Sequence, residues 1–310
     1  MTEKKYDVII IGSGPAGMTA ALYTARSEMK TLLLERGVPG GQMNNTAEVE
    51  NYPGYGTIMG PELSMKMYEP LEALGVENAY GFVTAIEDLG DVKKVITEDE
   101  VFETASVIIA TGAVHRKLGV PGEETFGARG VSYCAVCDGA FFRNQDILVV
   151  GGGDSAVEEA LYLTRFGKSV TIMHRRDQLR AQKIIQERAF ANDKIKFIWD
   201  ATVEEIKGDD RKVTSVVYKN VKTNARTEQA FGGVFIYVGL DPISEFATAL
   251  GISDAAGWIV TDDHMKTNRP GIFAVGDVRQ KDFRQITTAV GDGAQAAQEA
   301  YKYVAQQLSL

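Results

Sequence analysis

Cysteine is nearly absent from this chain: Cys134 and Cys137 are the two in 310 residues. Two thiols cannot build the disulfide scaffold of a small secreted domain, and they fall short of the four ligands of a structural zinc site. Histidine is as scarce. His115, His174 and His264 lack the spacing of a metal site, so no metal is expected. No apolar run reaches the roughly 20 residues that span a bilayer. Met1-Thr-Glu-Lys-Lys leads straight into a strand, without the charged and apolar regions of a signal peptide. The expectation is a cytoplasmic protein with no membrane contact. Basic side chains are outnumbered, 33 against 42, for a net charge of −9. That balance argues against a nucleic-acid partner and suits a small molecule or a small protein. A chain of 310 residues is long for one core, and two domains are the natural division.

What the chain has is glycine, placed twice in the same pattern. Asp7-Val-Ile-Ile-Ile-Gly12-Ser-Gly14-Pro15-Ala16-Gly17 corresponds to Asp146-Ile-Leu-Val-Val-Gly151-Gly152-Gly153-Asp154-Ser155-Ala156. Each is a short apolar run followed by the glycines of a dinucleotide-binding turn. Gly12 permits the tight turn, Gly14 lets backbone approach a pyrophosphate, and Gly17 lets the helix pack on the strand. The helix N-terminus then faces the phosphates. In the second copy Ala156 replaces the third glycine, which the pattern tolerates. The common register sets Glu35 opposite His174. An acid at that place bonds a ribose 2′-hydroxyl, whereas a base suits a 2′-phosphate. Arg175, Arg176 and Arg180 follow His174, and guanidinium groups grip phosphate bidentately. FAD is expected at the first copy and NADPH at the second.

Hydrophobic periodicity predicts strands at 6–11, 31–35, 92–96 and 102–110, with helices over 15–28 and 62–74. Residues 37–61, rich in Gly, Pro and Asn, read as a long loop of the kind that carries function. Further strands are expected near 195–199, 213–218 and 233–238, with linkers at 118–124 and from Asp241. A strand ending at Gly276-Asp277 and a helix from about Ile286 to Leu308 close the chain, and periodicity leaves open which sheet they join.

The C-x-x-C pair admits three readings: a zinc half-site, two inert thiols, or an exchangeable disulfide with a lowered thiol pKa. No histidine neighbours the pair, and Asp138 is the adjacent acid. On its own Asp138 reads equally well as a helix cap.

Together, Gly12–Gly17, Gly40-Gly41-Gln42, Ala110-Thr111-Gly112, Cys134-Ala-Val-Cys137-Asp138, Gly151–Ala156, His174-Arg175-Arg176 with Arg180, and Gly276-Asp277 with Arg284-Gln285 closely resemble the low-molecular-weight thioredoxin reductases of the bacterial type. The resemblance covers nearly the whole chain. It implies an α/β fold of two Rossmann-like domains, a discontinuous FAD domain (1–113 and 246–310) around an inserted NADPH domain (114–245). It assigns Glu35, Arg36, Gly40, Gly41, Gln42, Asn51, Val83, Thr111, Gly112, Gly276, Asp277, Arg284, Gln285 and Ile286 to FAD, with Asp277 on the ribityl chain. Gly152, Gly153, Asp154 and Ser155 join His174 and the arginines at NADPH. Cys137 is then the flavin-facing sulfur, Cys134 the one that attacks a thioredoxin disulfide, and Asp138 the catalytic acid. The resemblance also implies a homodimer and two interdomain orientations that exchange during turnover. Its rivals are a reductase of another small redox protein, such as a peroxidase partner, and a non-catalytic flavin redox sensor. A glutathione-reductase type would carry C-x4-C after the first fingerprint, and no cysteine is there.

Overall fold

In the computed structural model, residues 5–46, 48–127 and 129–308 are described. They form two compact units, Met1–Val114 with Asp241–Leu310, and His115–Leu240. Among the described residues no helix is long and apolar enough to cross a membrane.

The discontinuous unit is built on the parallel strand Lys5–Ile11, which pairs with Thr31–Glu35 on one side and Val101–Ile109 on the other. Glu77–Tyr80 extends the sheet beyond Thr31–Glu35. Val101–Ile109 divides its far edge. Its first half pairs antiparallel with Lys93–Thr97, and its last residues pair parallel with Ile272–Ala274. That pairing answers what periodicity left open, because the closing strand continues the sheet of the first fingerprint. Ile9, Ile10, Val107, Ile108 and Ile109 are fully buried, as near-continuous apolar runs in a two-sided parallel sheet should be. Each such side chain contributes roughly 1.5–3 kcal/mol on leaving water.

The first helix, Pro15–Arg26, ends two residues before the expected Glu28, where the backbone turns left-handed (φ 58°). Ile286–Leu308 lies against it. A Cβ at Gly293 would come within 3.1 Å of Ala20 N and Thr19 Cβ, so glycine lets the two helices touch. The long loop is partly ordered by its own hydrogen bonds: a single turn at Gly41–Asn45, then the two-residue strands Glu48–Val49 and Ile58–Met59 in antiparallel pairing.

The inserted unit holds an all-parallel sheet in the order Val131–Ser132, Gly233–Tyr237, Asp146–Gly151, Ser169–Met173, Ile195–Ile198. Beside it stands an antiparallel meander of Ala201–Gly208, Val213–Asn220 and Arg226–Ala230. The last of these, Arg-Thr-Glu-Gln-Ala, is exposed along its length. An edge strand with no buried face carries no hydrophobic alternation, which is why periodicity misses it.

Candidate functional site

In the discontinuous unit the first fingerprint forms a strand, a tight turn and a helix. Gly12 has φ 103°, and a Cβ there would press on Ala110 O at 2.5 Å. A Cβ on Gly17 would collide with the Gly12 carbonyl, whereas one on Gly14 meets nothing within 4 Å. Two glycines are thus required by packing, and the third faces open space at the helix mouth. Gly14 is the N-cap of Pro15–Arg26 and no side chain caps it. Pro15 carries no N–H, and the N–H groups of Ala16 and Gly17 in that first turn make an anion site by the arrangement of their dipoles.

Glu35 ends the second strand beside that turn. Its Oε2 accepts from Ser13 N–H at 2.8 Å and Ser13 Oγ–H at 2.7 Å, and its Oε1 from Gly37 N–H at 2.9 Å. A carboxylate has about four lone-pair sites, so it can still accept from a hydroxyl. Arg36 places its guanidinium over the exposed ring of Phe82, 5.8 Å from the centroid. The 37–45 loop folds onto the fingerprint. Gly40 N–H donates to Ser13 O at 2.8 Å, and a Cβ on Gly41 would touch Gly14 Cα at 3.4 Å. Gln42 donates to Ala113 O at 3.2 Å, and Thr111 Oγ1–H to Ile243 O at 2.6 Å, beside Gly112 at φ 69°. Val83 is buried among Ile9, Ile11 and Leu34, so what it can offer a nucleotide is backbone.

Asp277 follows Gly276 at the end of the closing strand. Its Oδ1 is buried and, among the described residues, has no hydrogen-bond partner. Burial raises its pKa above the ordinary carboxylate value, against the pull of Lys281 and Arg284. A buried acceptor left open is costly unless a ligand fills it. Arg284 donates to the carbonyls of Asp277 (3.3 Å) and Arg279 (3.0 Å), and its guanidinium carbon lies over Trp258, 3.8 Å from the ring centre. Gln285 accepts from Asn51 Nδ2 one residue before the helix that Ile286 opens.

Sequence reasoning missed the residue that holds this turn. Asp292, in the closing helix, accepts from Gly276 N–H at 3.0 Å and pairs with Arg279 at 3.0 Å and Lys281 at 2.9 Å. Partners 11 to 16 residues apart leave no periodic trace. An acid between two glycines inside a helix was the available signal.

In the inserted unit Gly153 caps Asp154–Leu163, again without a capping side chain, and a Cβ on it meets nothing within 4 Å. The arginine segment folds back on this turn: Arg180 N–H donates to Gly152 O at 2.7 Å, and Gln182 N–H to Asp154 Oδ1 at 2.7 Å. Arg175, Arg176, Arg180 and Ser155 are exposed. His174 is different. It is 5% exposed, its Nε2 has no partner among the described residues, and its ring fills the space a Gly152 side chain would need. Burial, then the charges of Arg180, Arg175 and Arg176, lower its pKa below the ordinary 6.5. The exposed arginines carry the positive charge of this segment.

Cys134 and Cys137 are joined in a disulfide. Cys134 is the N-cap of the short helix Ala135–Asp138, and its Sγ accepts from Cys137 N–H at 3.1 Å. Cys137 is the more exposed of the two, and Asp138 is half-buried. Ala135 N–H donates to the hydroxyl of buried Tyr237 at 3.1 Å. Glu159, from the fingerprint helix, was not anticipated. Its Oε2 is buried without a partner among the described residues, and burial, then the charge of Glu158, push its pKa up to about 8. The described residues contain no group of three metal-ligating side chains.

Against known proteins, residues 6–293 match the family model of the pyridine nucleotide-disulphide oxidoreductases. The thioredoxin reductase of Listeria innocua is 59% identical over 97% of this chain and 95% of its own length. That of Bacillus subtilis is 55% identical over 97% and 96%. Among solved structures, Lactococcus lactis thioredoxin reductase is 82% identical with TM-score 0.96, over 97% of this chain and 99% of that one. The thioredoxin reductase of T. acidophilum is 36% identical with TM-score 0.93, over 97% and 99%.

Proposed function

The chain belongs to the pyridine nucleotide-disulphide oxidoreductases, and within that family we propose that it is a thioredoxin reductase using NADPH and FAD. The observation that carries the reading is the Cys134–Cys137 disulfide at a helix N-terminus, in a chain that also holds two uncapped dinucleotide turns. The residues fit both cofactors. Two helix mouths are open at Gly14 and Gly153, and Asp277 has a buried oxygen awaiting a donor.

We assign FAD to the discontinuous unit. Gly14, Pro15, Ala16 and Gly17 would face its pyrophosphate, Glu35 its adenosine ribose, and Asp277 its ribityl hydroxyls. NADPH falls to the inserted unit, with Gly153, Asp154 and Ser155 at the pyrophosphate and the three arginines at the 2′-phosphate. Bound NADPH would supply a hydride and bound FAD a two-electron relay. The protein's own part then begins. The Cys134–Cys137 bond opens on taking up two electrons, and two protons complete the dithiol. The Cys137 N–H donates to Cys134 Sγ, a contact that would stabilise charge on that sulfur and supports the family assignment of Cys134 as the thiolate that attacks the thioredoxin disulfide. A mixed disulfide forms and one thioredoxin sulfur leaves. Cys137 then attacks Cys134 Sγ, releasing reduced thioredoxin and restoring the internal disulfide. Asp138, next to Cys137, is the residue we assign to proton transfer in these exchanges.

Steady-state NADPH oxidation in the presence of thioredoxin and a disulfide dye tests the proposal, with NADH as the comparison. Oxidation that needs thioredoxin and prefers NADPH supports it, and turnover independent of thioredoxin overturns it. A cytoplasmic homodimer belongs to the same family reading, and light scattering on the eluted protein decides the dimer.

A further inference from the structure

Glu123 is a carboxylate in an unexpected place. It is 2% exposed, yet it belongs to the stretch that enters the inserted unit, expected from sequence to be a linker. Its Oε1 accepts from Leu118 N–H at 2.9 Å and from the Tyr133 hydroxyl, and its Oε2 from Gly119 N–H at 2.7 Å. Tyr133 is the residue before Cys134. Burial, then the bond to Glu123, raise the Tyr133 pKa, so its hydroxyl stays a donor. One side chain thus ties the backbone at 118–119 to the segment that carries the disulfide.

A second connection runs parallel to the first. The His115 ring stacks on Tyr133 with centroids 6.5 Å apart and meets Tyr237 edge-on at 5.5 Å. The Tyr237 hydroxyl in turn accepts the Ala135 N–H. The residues on both sides of Cys134 are therefore anchored to the 115–119 segment, one through Glu123 and one through the His115 ring. Burying a carboxyl side chain this deeply costs desolvation before its bonds are counted, and an apolar side chain would fill the space with less of it. What an apolar side chain cannot do is hold two N–H groups and a phenol in one fixed geometry.

We infer that Glu123 is a positioning residue for Cys134: through Tyr133 it fixes the backbone that presents this sulfur to the thioredoxin disulfide. The inference rests on the assignment of Cys134 as the attacking thiol.

The test uses FAD-loaded enzyme and two variants, Tyr133→Phe, which keeps the ring and removes the hydroxyl, and Glu123→Gln. Stopped-flow measures two half-reactions, flavin bleaching by NADPH and oxidation of the pre-reduced enzyme by thioredoxin. Loss of a bond to a carboxylate is expected to slow the thioredoxin step about three- to tenfold, with NADPH bleaching unchanged. The double variant should be no slower than Glu123→Gln alone, because both remove one coupling. A fall in melting temperature with both half-reactions intact would make Glu123 merely structural and overturn the inference, as would equal slowing of both steps. If Glu123→Gln does not fold, Tyr133→Phe alone decides by the same two rates. Failure of wild-type enzyme to reduce thioredoxin would instead sink the assignment beneath the inference.

Discussion

The side-chain amide of Asn51 donates to the side-chain oxygen of Gln285, 234 residues further along the chain, at 3.0 Å. The bond joins the long early loop to the residue that precedes the closing helix. Both were assigned to the flavin by family resemblance, and the fold brings them together from opposite ends of the sequence. The same closing segment carries Asp277, and a Cβ on its neighbour Gly276 would meet Ala16 Cβ of the first fingerprint at 2.9 Å.

Asp277 should be needed for flavin retention. Its unpartnered Oδ1 is an acceptor awaiting hydroxyl donors, and hydrogen bonds to a charged group contribute roughly 1.5–3 kcal/mol. Wild-type protein should be yellow with about one FAD per chain, and Asp277→Ala should weaken FAD binding about ten- to a hundredfold in fluorescence titration of the apoprotein. Unchanged affinity would remove Asp277 from the site.

Gly14→Ala and Gly153→Ala should separate packing from binding. A methyl group at either position meets nothing within 4 Å, and both backbones are extended with φ of −72° and −94°. Neither change should lower the melting temperature of cofactor-free protein by more than a degree or two. Each methyl would stand where backbone should approach a pyrophosphate. Gly14→Ala should then weaken FAD alone and Gly153→Ala NADPH alone, as calorimetric titration would show. Gly17→Ala is the contrasting case, since its Cβ collides with the Gly12 carbonyl, and it should fail to fold normally.

Arg175→Ala with Arg176→Ala should cost NADPH one to several powers of ten in kcat/KM and leave NADH nearly unchanged. Steady-state kinetics with both nucleotides checks this. His174 is buried and its pKa is lowered, so His174→Gln should alter the preference far less than loss of the arginines.

Glu159 should destabilise the fold as pH rises. Its folded pKa of about 8 lies above the ordinary 4.5, so between those values the native state holds a proton that the unfolded state releases. Stability falls through that window by up to about 1.4 kcal/mol per pH unit. Glu159→Gln removes this term. It should match wild type near pH 4 and be increasingly more stable toward pH 8, which urea unfolding at several pH values would reveal.

The parts of this protein legible in its sequence are those with local grammar. Strand Lys5–Ile11, the Gly12–Gly17 turn and the helix after it follow from an apolar run, a glycine spacing and an amphipathic stretch, all within 22 residues. The Asp146–Leu163 copy is legible for the same reason. Sequence patterning could not show how Val101–Ile109 splits its edge between Lys93–Thr97 and Ile272–Ala274, because pairing across such distances has no local signature. Asp292, Glu159 and Glu123 were missed together. Each is an acid whose meaning comes from what the fold sets against it, and in a chain with 42 acids none stands out. Among the assigned residues, His174 shows the same limit. Sequence register placed a base there, and only the fold shows that it is buried, with its charged form disfavoured.

If electrons reach thioredoxin through the Cys134–Cys137 disulfide, removing either sulfur must stop the flow. FAD-loaded Cys134→Ser and Cys137→Ser should be mixed anaerobically with NADPH and then with oxidised thioredoxin, while flavin absorbance and thioredoxin thiols are followed. Both variants are expected to bleach with NADPH and to leave thioredoxin oxidised, with steady-state reduction at least about a thousandfold below wild type. Thioredoxin reduction at the wild-type rate by either variant would contradict the account.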